Sequence, residues 1–583
     1  MKLRIDGHET IAKPGQTLLE LINAFGLDTK QLSCRPIAAK IAGEVFNLNY
    51  VPSRVSDFCT DRPSIRRAMD ASGGEIRLLY YDDPCGRDVY ARTAQFVLFL
   101  ALHNCYPTVS TRMGSTVGTA LMIHVLGNER VDIIRVKEEM NRLIAMDIPL
   151  IRRRVSTQAA IARFERAGKG DKARLLRYRD ADFFDEYAYG DFSDYYYGEL
   201  APSTGYLQVW DLLPAEGGFL FLYPDACDPD QVSTYVDMPR FQSVTNEGAR
   251  WCQLMACDSV ADLNDMVQSG KIRELIRVNE ALHEKKYAEV ADMVCRRGCR
   301  AVMLAGPSSS GKTTSANRLA TQLRVHGKKP ILMSLDDYYV DRDTVKPGPD
   351  GKLDLEHINT IDTDLFRKHL KMLLDGREVE LPTFNFLTGK REWHGHKLCL
   401  HTDSVIIVEG LHALNPVLLP EDLDQSLVFK LYVSALLPLN LDDHNRIPSS
   451  YLRLLRRIVR DYESRGTSVE RTIAMWDSVR RGEKRWIFPY QENADVIFNS
   501  STLYDAGVTR ARPAPRTPDM EAPPWRTGPP AARVRPGRPA QLGSRVALSC
   551  SRSSLSLQTR HVRTALPEQP EWRAALSVKL GMN

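Results

Sequence analysis

The stretch AGPSSSGKTTS, Ala305 to Ser315, contains G-x-x-x-x-G-K-[ST] in full: Gly306, four residues, then Gly311, Lys312 and Thr313. Before it, RAVMLAG is an apolar run of strand length. After it, TTSANRLATQLRVHG has a helical period and stops at Gly327. A glycine-rich turn between a strand and a helix aims backbone N–H groups at phosphate oxygens. The helix N-terminus adds partial positive charge. The candidate nucleotide cradle is therefore Gly306, Pro307, Ser308, Ser309, Ser310, Gly311, Lys312, Thr313 and Thr314. Lys312 is expected to reach the β- and γ-phosphates of ATP, and the Thr313 hydroxyl to ligate Mg²⁺.

Working outward, KPILMSL is a second strand, running into Asp336 and Asp337. A carboxylate there is placed to take the proton of an acceptor hydroxyl as phosphoryl moves in line, so Asp336 is the candidate base. The run Val405 to Val408 ends in Glu409, at the carboxyl edge where open α/β sheets bind ligands. Glu409 is the candidate second metal ligand. Strands alternating with helices predict a parallel sheet. Neither D-x-x-G nor N-K-x-D follows Thr313, which argues against a guanine-nucleotide switch. YLRLLRRIVRDYESRG sets Arg453, Arg456, Arg457 and Arg460 on one helical face. A stripe of one sign suits a lid over triphosphate, which excludes water and stabilises developing charge.

The chain has 583 residues, enough for about three or four domains. FVLFLAL, near Phe96, is too short to span a bilayer, and MKLRIDGHET has no signal core. Both point to the cytoplasm and away from a membrane. Eleven scattered cysteines without a C-x-x-C pair read as free thiols. From Val508 to Asn583 there are twelve Arg, one Lys and four acidic residues. That tail carries +9 of a total of +5, leaving −4 for the rest, so no basic domain demands nucleic acid. Its eleven prolines and lack of apolar period read as disorder. The sudden preference for Arg over Lys fits a reading-frame slip in a GC-rich gene; a genuine basic tail is the other reading.

Towards the N-terminus, MKLRID alternates like an edge strand and PGQTLLELINAFGL follows as a helix. YARTAQFVLFLALHN is helical. The aromatic run DFFDEYAYGDFSDYYYG, Asp182 to Gly198, has no clear period and reads as core plus loops. Residues from about 260 to 298 read as a helical connector.

GPSSSGKTT, SLDDYY, VEGLH and RRIVRDYESRG, in this order, resemble the uridine kinase and phosphoribulokinase family over residues 299–507. The resemblance implies ATP-dependent transfer to a small hydroxylated acceptor, with Asp336 as base, Glu409 as the Walker B acid, and Arg456, Arg457 and Arg460 in the lid. It places Glu356 of LEHI at the ribose. It aligns PTFNFLTGKR with the base-reading segment P-x-Y-D-F-x-x-H-x-R, giving Phe384, Asn385, Gly389 and Arg391. The expected acceptor is a nucleoside; the substituted base readers put uridine itself in doubt, and EGLH, with His412, resembles phosphoribulokinases and keeps a pentose or pentose phosphate open.

KPGQTLLELI makes residues 1–60 resemble a TGS domain, and GDFSDYYYGELAPSTGY makes residues 61–230 resemble the editing domain of threonyl-tRNA synthetases. At the four editing positions this chain has Arg92, Phe96, Tyr196 and Leu200, so neither editing nor zinc is expected there. Residues 231–298 then connect to the kinase. The implied fold class is multidomain α/β and α+β: a ubiquitin-like N-terminal domain, an editing-like α+β domain and a P-loop parallel-sheet kinase domain. The resemblance also places the end of the kinase near NSSTLYDAGV, before the tail. RNA or a regulatory ligand at the N-terminal half, and a homo-oligomer, stay open. So does an RNA-linked regulatory ATPase.

Overall fold

The alternation of side chains along the C-terminal strands sorts one sheet into two cores. This structure, a computed structural model, describes residues 2–27, 29–41, 43–52, 75–179, 181–345 and 356–505. The basic tail lies outside the described residues, as do positions 53–60 of the first unit.

β1 (Lys2–Ile5) and β2 (His8–Ile11) form a hairpin. Asp6 and Gly7 turn it at φ 42° and 86°, the pair of positive angles a tight hairpin requires. α1 (Leu18–Ala24) starts at a capping box in which Thr17 and Glu20 satisfy each other's backbone N–H. β3 (Ala38–Ile41), β4 (Glu44–Phe46) and β5 (Glu75–Leu79) complete the order β2-β1-β5-β3-β4. β1 is thus an interior strand, not the expected edge. Its second partner, β5, pairs in parallel from beyond residue 60.

The middle of the chain is built around α2 (Pro84–Cys105), whose apolar residues are buried almost all round. β6 (Ser110–Val117), β7 (Ala120–Leu126), α3 (Ile133–Ala145), β8 (Arg153–Ser156), α4 (Thr157–Arg166) and α5 (Gly170–Arg177) follow. The aromatic run forms β9 (Phe183–Tyr189) and β10 (Phe192–Asp194), and β11 (Asp211–Ala215) and β12 (Gly218–Leu222) close a second sheet.

Three helices come next: α6 (Pro239–Leu254), α7 (Val260–Gln268) and α8 (Ile272–Arg296). The stretch expected as a helical connector is helical, and α8 also packs on the C-terminal sheet. Its Tyr287, Val290, Ala291 and Val294 belong to the core of the C-terminal sheet.

That sheet is β13 (Ala301–Ala305), β14 (Lys329–Ser334), β17 (Ser404–Glu409), β18 (Val428–Ser434) and β21 (Val496–Asn499), all parallel, in the order β14-β17-β13-β18-β21. Ala301, Met303, Ile406 and Val408 face α10 (Thr363–Leu374) through Phe366 and Leu370. Val302, Leu304, Val405 and Ile407 face α8 and α9 (Lys312–Val325). Burial on both faces is why these strands read as continuous apolar runs rather than alternating ones. The hairpin β15–β16 (Val379–Asn385, Lys390–Leu398) and the short hairpin β19–β20 (Asn440–Asp442, Asn445–Arg446) stand off the sheet. α11 (Ser449–Arg465) and α12 (Val469–Trp486) follow the second. Among the described residues no helix is long and apolar enough to cross a membrane, and the nine described cysteines are free of disulfides.

Candidate active site

β13 ends at Ala305 and α9 begins at Lys312, so the glycine-rich loop sits at the carboxyl edge of the central strand. Gly306 lies so close to β18 that a Cβ there would stand 2.0 Å from the Val433 carbonyl oxygen. Ser309 and Gly311 take positive φ, 58° and 89°, and the chain curls so that the Ser310 N–H bonds the Pro307 carbonyl. Gly306→Ala is expected to push the loop off β18, costing about 1–3 kcal/mol of stability. Denaturant unfolding, together with loss of ATP affinity in titration, checks this.

Four of the expected groups converge here. The Thr313 hydroxyl donates to Glu409 Oε1 at 2.8 Å. Lys312 folds back on its own loop, with Nζ 3.3 Å from the Pro307 carbonyl. Burial lowers its pKa, against the pull of Glu409 and then Asp336. Thr314 is exposed on the first turn of α9. The two aspartates after β14 part company. Asp337 accepts the Phe384 N–H, and burial raises its pKa. Asp336 lies within electrostatic reach of Lys312, and the Tyr339 hydroxyl donates to it.

The paired oxygen donors of Thr313 and Glu409 suit Mg²⁺, which is held by few protein ligands and completes its shell with phosphate and water. The arginine stripe differs from the expected single-sign face, because every member has a carboxylate. Arg453 is buried with Glu483, Arg456 pairs with Asp505, and Arg457 and Arg460 share Asp461. Arg457 also donates to Ser308 Oγ at 2.8 Å, and Arg456 to the Ser500 carbonyl at 3.1 Å. The helix therefore already lies against the loop rather than standing free of it.

Glu483 on α12 was absent from the sequence reading. Its carboxylate takes the Ser308 N–H at 3.0 Å together with Arg453 and Arg480. The one available signal was an acid inside the arginine-rich run RRGEK.

The acceptor side is rearranged. Glu356 packs on Gly482, where a Cβ would meet its own Cβ at 2.4 Å. Burial, offset by Arg457 and reinforced by Glu483, pushes its carboxyl up to about 7. Phe384 sits edge-on to Tyr339 and Phe386. Asn385 caps the β15–β16 turn, accepting the Leu387 N–H at 3.0 Å and donating to Glu392. Arg391 pairs with Asp362 at 2.8 Å. Gly389 turns at φ 70° beside Arg342. The polar positions aligned with base reading are spent inside the hairpin and its neighbours.

In the N-terminal half, Phe96, Tyr196 and Leu200 share one apolar cluster, and Arg92 bonds the Glu199 carbonyl. Among the described residues no group of three or more His, Cys, Asp or Glu could hold a metal.

A phosphate loop on a five-stranded parallel sheet, with a lysine, two flanking acids and an arginine helix against it, defines a P-loop kinase-like domain. Residues 301–505 match the phosphoribulokinase / uridine kinase family, and the chain belongs to that family through this region. A uridine kinase of Ligilactobacillus salivarius is 32% identical over 212 residues, 36% of this chain and 90% of that relative. A uridine kinase of Staphylococcus haemolyticus is 31% identical over 195 residues, 33% and 84% respectively. A solved D-glycerate 3-kinase from Cryptococcus neoformans var. grubii covers 34% of this chain and 87% of that one at 15% identity, with a TM-score of 0.24, too low to bear on the argument.

Proposed function

We propose that this chain transfers the terminal phosphoryl of ATP, with Mg²⁺, to a hydroxyl of a small acceptor of the nucleoside class. The convergence of Lys312, Thr313, Glu409 and Asp336 at one sheet edge carries the reading. Thr313 and Glu409 would hold Mg²⁺, which supplies charge neutralisation at the phosphates when bound. Loop amides and Lys312 bind the phosphates. Arg457 and Arg460 face the charge that develops on the transferred group, and Asp336 takes the acceptor proton. Glu356, beside Asp336, receives the acceptor's sugar hydroxyls. A pentose or pentose phosphate is the second reading, favoured because Asn385 and Arg391 are committed to Glu392 and Asp362.

Under the same proposal residues 1–60 are a TGS-like unit, 61–230 an editing-like domain, and 299–507 the kinase, with 508–583 a tail outside it. Arg92, Phe96, Tyr196 and Leu200 fill the editing positions. The test is ADP release from ATP and Mg²⁺ against nucleosides, pentoses and pentose phosphates, with tRNA as a separate addition. Release that requires one small acceptor supports the proposal and names the substrate. Release that requires only tRNA overturns it in favour of a regulatory ATPase.

A further inference from the structure

The hairpin β19–β20 belongs to the C-terminal region, yet its side chains end inside the N-terminal half. Asp442 is fully buried and ion-pairs with Lys172 of α5 at 2.7 Å. Lys172 also pairs with Asp194 of β10 at 2.8 Å, so one buried ammonium joins two buried carboxylates. The Tyr195 hydroxyl closes the second oxygen of Asp442 at 2.6 Å. His444 bonds Asp194 and stacks flat on Phe99 of α2, with centroids 3.7 Å apart and planes 2° from parallel. At the rim, Arg112 of β6 holds Asp443 at 2.6 Å and Asp258 at 2.8 Å. The backbone joins in: the Met113 N–H bonds the Asp443 carbonyl.

Only Ile447 and Pro448 separate this hairpin from α11. Proline fixes its own φ, here −61°, so the link is short and stiff. Ile447 and Leu452 are buried in a cluster with Cys252 and Leu263 of α6 and α7. Along the same helix, Arg457 reaches Ser308 of the phosphate loop. A buried ammonium held between two buried carboxylates keeps one geometry, because any slip strands an unsolvated charge.

We infer that Lys172, Asp194 and Asp442 are positioning residues for phosphoryl transfer: through the β19–β20 hairpin, the N-terminal half sets where α11 places Arg457 and Arg460 on the phosphates. This rests on the kinase reading above. It gives the N-terminal half a use in catalysis that needs no ligand of its own.

The experiment is a double-mutant cycle in the full chain. Asp442→Asn should lower kcat for acceptor-dependent ADP release by about 3- to 30-fold. KM for ATP should stay within about twofold, because the loop amides and Lys312 are untouched. In an Arg457→Met background the same change should have little further effect, since two residues acting as one unit are not additive. Amide exchange across Ser449–Arg465 should be faster in Asp442→Asn than in the parent. Should Asp442→Asn fail to fold, Arg112→Met at the rim is expected to give the same pattern with a smaller fall. Equal falls with and without Arg457 overturn the inference, as does an unchanged kcat or unchanged exchange in α11. A parent chain with no acceptor-dependent release overturns the kinase reading instead. The exchange measurement then still decides whether the hairpin holds the helix.

Discussion

Asp336→Asn should lower acceptor-dependent ADP release by about 10²- to 10⁴-fold, the usual contribution of a positioned general base. Asparagine keeps the shape and the Tyr339 contact but cannot take a proton. ATP affinity should change little, because Asp336 faces Lys312 without belonging to the loop. Lys312→Ala is the contrast: it should lose ATP affinity as well as turnover. Single-turnover rates and ATP titration on the two variants separate the roles. Wild-type turnover in Asp336→Asn would remove Asp336 from the chemistry.

Glu483→Gln should destabilise the C-terminal region by about 3–5 kcal/mol, the penalty for leaving one partner of a buried ion pair uncompensated. Glu483 is fully buried and Arg453 nearly so. The Ser308 N–H loses a charged acceptor at the same time. Arg480→Met should cost under about 1 kcal/mol, because that side chain is partly exposed and screened. Denaturant unfolding of both variants reads the difference. The pH dependence follows from the direction of the shift. Burial raises the Glu483 pKa, but Arg453 and Arg480 bring it net below its ordinary value. The pair therefore stabilises fully above the ordinary glutamate value of about 4.3. That contribution is lost as pH falls through the lower folded value. Unfolding midpoints should decline below about pH 4 more steeply in the parent than in Glu483→Gln.

Much of the candidate site was legible before any fold was known. The strand, loop and helix around Gly306 to Thr313 are contiguous, so a local pattern captures a local site. Asp336 and Glu409 could be found because parallel strands end in acids at the same sheet edge. Other residues have partners that the sequence did not show. Asn385 and Arg391 occupy base-reading positions by alignment, whereas the hairpin uses them to cap its turn and hold Asp362. The arginine face was correctly periodic, and Asp461 stood within the same stretch, but the other two neutralising carboxylates lay far along the chain. Asp505 is 49 residues from Arg456, and Glu483 is 30 from Arg453. β1 read as an edge strand because its second partner arrives only at residue 75.

The phosphate loop, the acids after its flanking strands and the parallel-sheet class were readable from contiguous motifs and apolar runs, and the kinase family from the order of four such motifs. How the halves meet emerges only in the folded chain. Lys172 and Asp442 are 270 residues apart. No local period records such a pairing; it exists because two buried charges must find each other once the chain has closed around them.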